Sequence, residues 1–355
     1  MKKIIAILLA LTILIALAAC SPGSKEDTSL DSALPMHTVV DLAGREVELP
    51  ANPTKVAALV GPSFEKLVII GASDKIVLLG NPDANKGWAK VVAPELGFVT
   101  VVENATEPNI EELLTLGVEV VFFWDSYPDV IAKLEDANIP VIVTQIQDSP
   151  DTLEKFLQMQ KDEINLIAQV MGEEYVPKAM NWCDYLEEKV SFIRDKTKDL
   201  PADAFPDVFY IRGPSALRIH GKNSYSMWWL TMAGGNLVSK DSDYEVTIEQ
   251  VLKWDPEYVF MGRVNNSELI TGDVAWSGVR AVKENKVIVN PKGVMVWDAG
   301  TEGVLLLEFF AKTLHPDLFP DLDIKAEIKD YYSQFYHYPL SDTQVEQIYN
   351  NTEID

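Results

Sequence analysis

The sequence is poor in the residues from which protein-held metal and redox sites are usually built. It has two cysteines, Cys20 and Cys183, and four scattered histidines, His37, His220, His315 and His337. Two cysteines cannot supply a Cys-based zinc motif, and the histidines lack metal-ligand spacing. Basic residues are scarce as well: 30 against 54 acidic ones, a formal net charge of −24. That balance excludes the basic stripe needed to hold nucleic acid. There is no G-x-S-x-G, no glycine-rich phosphate loop and no H-E-x-x-H, so common hydrolase and nucleotide chemistries have no visible foothold. The longest apolar run, Ile4 to Leu17, is about 14 residues, short of the roughly 20 that span a bilayer.

What is present begins at that run. Lys2 and Lys3 precede it and L-A-A-C follows, ending at Cys20. This reads as a secretory leader over residues 1–19. Its end resembles a bacterial lipobox, which would make Cys20 the lipidated first residue of the mature chain, with acyl chains holding it on an extracytoplasmic membrane face. Residues 20–36 are small and polar and read as a flexible tether. Cys183 lies in a helical run and reads as a small buried hydrophobe.

The rest reads as α/β. "TVVDLAGREVELP" predicts a hairpin turning at Ala43-Gly44. "KVAALV", "KIVLLG", "VEVVFFW" and "PVIVTQ" are near-continuous apolar runs separated by helical patterns, as in parallel strands buried on both faces. This gives an N-terminal α/β lobe over 37–150. Residues 151–202 have helical periodicity, interrupted at Gly172 and Pro177, and Pro177 to Lys198 predicts one helix about 33 Å long. Alternation returns in "DVFYI", "PEYVFMG" and "KVIVN" for a C-terminal α/β lobe over 203–320, with helices over 321–355. The expected fold is two α/β lobes with mainly parallel sheets, joined by one long rigid helix, with a ligand cleft between them.

One phrase occurs twice. "NIEELLTLGVEVVFF" and "TIEQVLKWDPEYVFM" share an isoleucine, two glutamates, a leucine and a Val-Phe pair at matching positions. Asn109 and Thr247 are suited to cap the two helices, and Glu112 and Gln250 to complete capping boxes. Glu111 and Glu249 are not needed for capping and should face solvent. Singly, each suits the helix dipole. As a matched pair, they suit docking onto a two-fold symmetric partner with basic sockets.

Together with the lipobox, "TVVDLAGREVELPANPTKVAALVGPSFEKLVIIGASDKIV", "EPNIEELLTLGVEVVFF", "MAGGNLV" and "VTIEQVLKWDPEYVFMG" resemble the substrate-binding lipoproteins of ABC importers. The relevant class takes up iron–siderophore complexes, haem and cobalamin, and the resemblance covers about residues 38–320. It implies a bound ligand rather than a cofactor, modest lobe closure, and an ABC permease dimer with a cytoplasmic ATPase as partner. In that family one glutamate per lobe engages permease arginines, and Glu111 and Glu249 match them.

Ligands of open parallel sheets bind beyond the carboxyl ends of the strands. That rule selects Ser63 after the first strand, Trp124 and Tyr127 after "VEVVFF", Arg212 after "DVFYI" and Arg263 after "PEYVFMG". Trp88, Tyr225, Trp228, Trp276 and Trp297 fall in or beside loops expected to border the same cleft. His220 is expected there as a direct metal ligand or a donor to a chelate. Arginine forks and aromatic faces suit a large, partly apolar, anionic metal chelate, with any metal arriving already chelated: a ferric chelate, with haem or cobalamin as alternatives. From other classes, a lipid-anchored hydrolase and a sensor or adhesin remain as rival readings.

Overall fold

The computed structural model describes residues 35–147, 149–352 and 354. The leader, Cys20 and the tether up to residue 34 lie outside the described residues. Among the described residues no helix is long and apolar enough to cross a membrane.

The first elements form an antiparallel hairpin, β1 (Met36–Val40) and β2 (Glu46–Pro50). It starts one residue inside the stretch expected as tether. Asp41, buried at the turn, accepts from the backbone of Ala43 and Arg45 and also from Val143. One carboxylate thus shapes the turn and ties it to the sheet.

The N-terminal lobe then runs β3 (Val56–Ala58), α1 (Gly61–Ile69), β4 (Ile76–Leu79), α2 (Gly87–Val92), β5 (Thr100–Val101), α3 (Ile110–Leu116), β6 (Val120–Trp124), α4 (Pro128–Asp136) and β7 (Val141–Gln145). Its sheet is parallel, in the order β5-β4-β3-β6-β7. The central strands β3 and β6 are buried along almost their whole length, which is why they read as unbroken apolar runs.

Two helices follow, α5 (Leu153–Met171) and α6 (Val176–Thr197). At about 1.5 Å per residue, α6 spans roughly 33 Å. It buries Trp182, Leu186, Val190 and Ile193 on one face, and Trp182 Nε1 donates to Tyr331 Oη at 3.1 Å. Cys183 is buried there, and burial pushes its thiol up to about 11, so it stays protonated at neutral pH.

The C-terminal lobe comprises β8 (Asp207–Ile211), α7 (Tyr225–Met232), β9 (Asn236–Leu237), α8 (Ile248–Trp254), β10 (Tyr258–Met261), α9 (Glu268–Thr271), α10 (Arg280–Lys283) and β11 (Val287–Val289). Its separate parallel sheet has the order β11-β10-β8-β9. Helices α11 (Gly303–Leu314), α12 (Ile324–Phe335) and α13 (Asp342–Tyr349) complete the chain.

Each sheet has its own apolar cluster on one face, built around Phe123 and Ile131 in the first lobe and Phe209 and Trp276 in the second. A third cluster is common to both lobes and takes in α1, α5, α6, α7, α11 and α12. Phe156 on α5 sits at its centre, with its ring 4.9 Å from that of Trp229 on α7.

The repeated phrase forms α3 and β6 in one lobe and α8 and β10 in the other. Thr247 and Gln250 make the full reciprocal capping box. Asn109 accepts from the backbone of Glu111 and Glu112, but the return bond from Glu112 is absent, so this box is half of what the sequence predicts. The two helices also end differently. Gly117 closes α3 in the left-handed region at φ 70°, where glycine has no side chain to clash. Asp255 closes α8 in the same region at φ 45°, and its carboxylate accepts from Arg280 N at 2.8 Å.

Candidate ligand-binding site

The carboxyl ends of both sheets border one crevice. Gln145, the last residue of β7, spans it: Trp124 Nε1 donates to its Oε1 at 2.9 Å, and its Nε2 donates to Tyr225 Oη at 3.1 Å. Both ends of that amide are engaged, so its orientation is fixed. A second crossing is made by Trp228, whose indole donates to Pro150 O at 3.2 Å. Burial raises the Tyr225 hydroxyl above its ordinary range, so it is a neutral donor or acceptor. Tyr127 stands beside Trp124, ring centroids 6.1 Å apart, and is 38 % exposed.

On the C-terminal side the site is electrostatic. Arg212 follows β8, and Arg263 follows β10 after Gly262. A side chain at Gly262 would strike Tyr210 Oη, so the close approach of strand and phenol requires glycine. Arg263 Nε donates to both oxygens of Asp298, at 2.9 and 3.2 Å. Asp298 is buried and also accepts from Tyr210 Oη at 2.9 Å, while Asn290 Nδ2 donates to the same phenol at 3.0 Å. Among the described residues the terminal nitrogens of Arg263 have no protein partner, and Arg212 makes only a 3.5 Å contact to Gly213 O. Burial, with the neighbouring charges of Arg263 and Arg218, pulls the Arg212 guanidinium below its ordinary range. An arginine remains a cation after such a shift.

His220 lies against this cluster, its ring stacked on Tyr210 at 5.8 Å. Nδ1 pairs with Ser226 Oγ at 3.0 Å, and Nε2 is 3.6 Å from Asp298 without a hydrogen bond. Burial lowers its pKa to about 4; Asp298 opposes the shift, and Arg263 and Arg212 add to it. The imidazole is therefore neutral at pH 7. Two guanidiniums face one carboxylate, so the site carries excess positive charge inside an acidic protein.

Beside Arg263 opens a cavity of about 590 Å³, walled by Trp88 and Val91 of α2 and by Val294 and Val296 of the loop after β11. No cluster of histidine, cysteine and acidic residues fit to hold a bare metal ion occurs among the described residues.

Three residues expected to line the crevice are placed otherwise. Ser63 is buried in the first turn of α1, its hydroxyl 3.2 Å from Thr144 Oγ1. Trp276 is buried against Phe209, and Trp297 is wholly buried in the cluster common to both lobes. Ser63 turns towards Thr144 of β7 and Trp276 towards Phe209 of β8, while Trp297 turns into the cluster common to both lobes. Asp298 was not anticipated. Its signal is a lone acid within the apolar run "VMVWDAG", since a charge there is kept only if paired. Glu111 and Glu249 are exposed and unpaired among the described residues, and Leu114 and Leu252 are exposed three positions on.

Comparison with known proteins agrees with this architecture. Residues 56–293 match the family model described as periplasmic binding protein. The chain is 26 % identical over 327 residues to the molybdate-binding protein MolA of Haemophilus influenzae, covering 86 % of this chain and 92 % of MolA. Among solved structures, a periplasmic solute-binding protein from Veillonella parvula aligns with a TM-score of 0.76 at 26 % identity, over 90 % of this chain and 99 % of that one. MolA bound to molybdate aligns with a TM-score of 0.77 at 24 % identity, over 86 % and 99 %. The chain belongs to the periplasmic binding protein family.

Proposed function

We propose that this protein captures an anionic metal chelate, of the ferric-siderophore kind, outside the cell membrane and delivers it to an ABC permease dimer. The observation that carries this reading is the pair Arg212 and Arg263: among the described residues the outer nitrogens of Arg263 have no acceptor and those of Arg212 have only Gly213 O at 3.5 Å, and both border a crevice lined with aromatic rings. A partly buried guanidinium without an acceptor favours an anionic ligand, and arginine's planar fork suits carboxylate or catecholate oxygens. Tyr127, Trp124, Tyr225, Trp228 and Trp88 would supply the apolar contact, and neutral His220 a hydrogen bond. Cys20 would carry the lipid that keeps the protein at the membrane, and Glu111 and Glu249 would meet basic sockets on the permease. Haem and cobalamin are the alternative metal–organic ligands for the same fold.

A second reading has its own support. MolA, the Haemophilus influenzae relative, is named for binding molybdate, and two arginines beside a neutral imidazole also suit a compact metal oxyanion.

Calorimetric titration separates these readings. Ferric trihydroxamate, ferric tricatecholate, haem, cyanocobalamin and sodium molybdate are each added to the mature chain. The chelate reading expects the anionic ferric tricatecholate to bind best, with the uncharged ferric trihydroxamate weaker, and Arg212→Ala to weaken the tricatecholate by about tenfold or more, the usual weight of a charge-assisted hydrogen bond. Molybdate as the tightest ligand would replace it with the oxyanion reading. Binding by none of the five would remove both.

A further inference from the structure

The cavity beside Arg263 has a charge opposite to that of the chain. Its cationic lining residues are Lys86, Lys90, Arg263 and Lys292, and Asp83 is the acid among them. In a chain with 54 acidic and 30 basic residues, random lining would favour acids. Asp83 pairs with Lys86 at 3.0 Å and lies 3.8 Å from Lys292, so one carboxylate serves two ammonium groups. Lys90 has no carboxylate within ion-pair distance among the described residues. Trp88, Val91, Val294, Val296 and Ile354 supply the apolar part of the wall, with Trp88 packed edge-on against Tyr332 at 6.2 Å, and Asn265, Asn351 and Thr352 add neutral polar groups. Long lysine stems can cover an apolar ligand while their ammonium heads meet its charges.

The segment after α13 contributes the remaining side, through Asn351, Thr352 and Ile354. It is pinned in place. Lys292 N donates to Ile348 O at 3.1 Å, Asn351 Nδ2 donates to Asn290 O at 3.1 Å, and Thr352 N donates to Gln347 O at 2.9 Å. The first bond ties α13, and the second Asn351, to the loop after β11 that carries Lys292 and Val294; the third turns the segment back onto α13.

We propose that this cavity receives the organic, multiply anionic body of the ligand, and that the segment after α13 is a fixed wall limiting the size of that body. The inference rests on the chelate reading for the ligand's identity. Its physical content is separate: an apolar-walled anion site whose recognition groups are Lys86 and Lys292. A volume of about 590 Å³ lies in the range of small organic ligand sites and far exceeds what a bare tetrahedral oxyanion needs.

The test uses 8-anilinonaphthalene-1-sulfonate, an aromatic anion that fluoresces in apolar surroundings, with the full mature chain. We expect saturable one-to-one binding, weakened about tenfold in Lys86→Ala/Lys292→Ala and unchanged in Lys198→Ala, an exposed lysine paired with Asp195 outside the cavity. Asn351→Ala, which unpins the wall without shortening the chain, should weaken binding several-fold. Deletion of residues 351–355 should weaken it further, and circular dichroism controls for folding. Wild-type affinity in the double lysine variant, or no saturable binding by the native chain, overturns the inference. The ferric-chelate titration is read separately. If no metal solute binds but the lysine-dependent pattern holds, the chelate reading falls and the cavity assignment stands; if a chelate binds without regard to Lys86 and Lys292, the reverse holds.

Discussion

Arg263 and Asp298 are joined by two hydrogen bonds to a single guanidinium nitrogen, at 2.9 and 3.2 Å, with Asp298 fully buried and Arg263 about a quarter exposed. The carboxylate grips Nε and leaves the outer nitrogens turned to the crevice, so Asp298 orients Arg263 rather than consuming it. Asp298→Asn keeps the shape and removes the charge. We expect a loss of about 1–3 kcal/mol in stability, the usual penalty for disturbing a buried charged hydrogen bond, measured by urea denaturation. Ligand affinity should fall with it, although Asp298 need not touch the ligand.

His220 makes stability depend on acidity. Its folded pKa, about 4, lies below the ordinary 6.5, so the unfolded chain takes up a proton first as pH falls. The contribution is complete above pH 6.5 and is lost progressively as pH drops towards 4. A shift of that size is worth roughly 3 kcal/mol. Thermal midpoints of wild type and His220→Gln between pH 4 and 7 should show a shallower acid decline in the variant. Parallel curves would contradict the buried neutral imidazole.

Glu302 has the opposite sign. It is wholly buried at the start of α11, accepts from Met295 N at 3.1 Å, and is raised above the carboxylate range by burial and by Glu65. Glu65 in turn accepts from Thr301 N and from Tyr336 Oη, both at 2.8 Å. A carboxyl that keeps its proton when folded stabilises most at low pH, and loses that contribution as pH rises past its ordinary 4.5. Glu302→Gln, which cannot ionise, should be the more stable of the two at pH 8 and above. Denaturation midpoints across pH 5 to 9 would reveal the crossing.

Glu111 and Glu249 are exposed and separate from the crevice residues. The double variant Glu111→Ala with Glu249→Ala should bind ligand as wild type does, yet fail to support uptake in cells that carry the permease. Normal uptake would remove the docking assignment. Leu114→Ser with Leu252→Ser tests whether the neighbouring apolar residues share the contact, with a partial loss of uptake expected.

Much of the fold was legible in the sequence because its strands are extreme cases. The "VVFF" of "VEVVFF" is apolar on both sides, and it became the interior strand β6. The long helix was expected from Pro177 to Lys198 and runs Val176–Thr197, since proline at its start marks the boundary. Elements α2, β5 and β9 carried little signal. The first is six residues long without a side-chain cap, and the strands are two residues each. The site was legible only as far as chain position goes. Arg212 and Arg263 could be located because they follow strands. For Ser63, Trp276 and Trp297, sequence adjacency to a loop did not reveal which way the side chain turns. Lys86 and Lys292 drew no notice, because lysines in polar loops are common and the apolar wall between them is assembled from distant parts of the chain.

The Gln145 bridge is one of two hydrogen-bonded crossings of the crevice, beside that from Trp228 to Pro150. A neutral hydrogen bond such as the one from Gln145 to Tyr225 contributes about 0.5–1.5 kcal/mol net, so breaking it alters a populations ratio by only about two- to twelve-fold. With the Trp228 to Pro150 bond counted as well, a solute whose own groups take over both crossings would compete against only about 1–3 kcal/mol along that line.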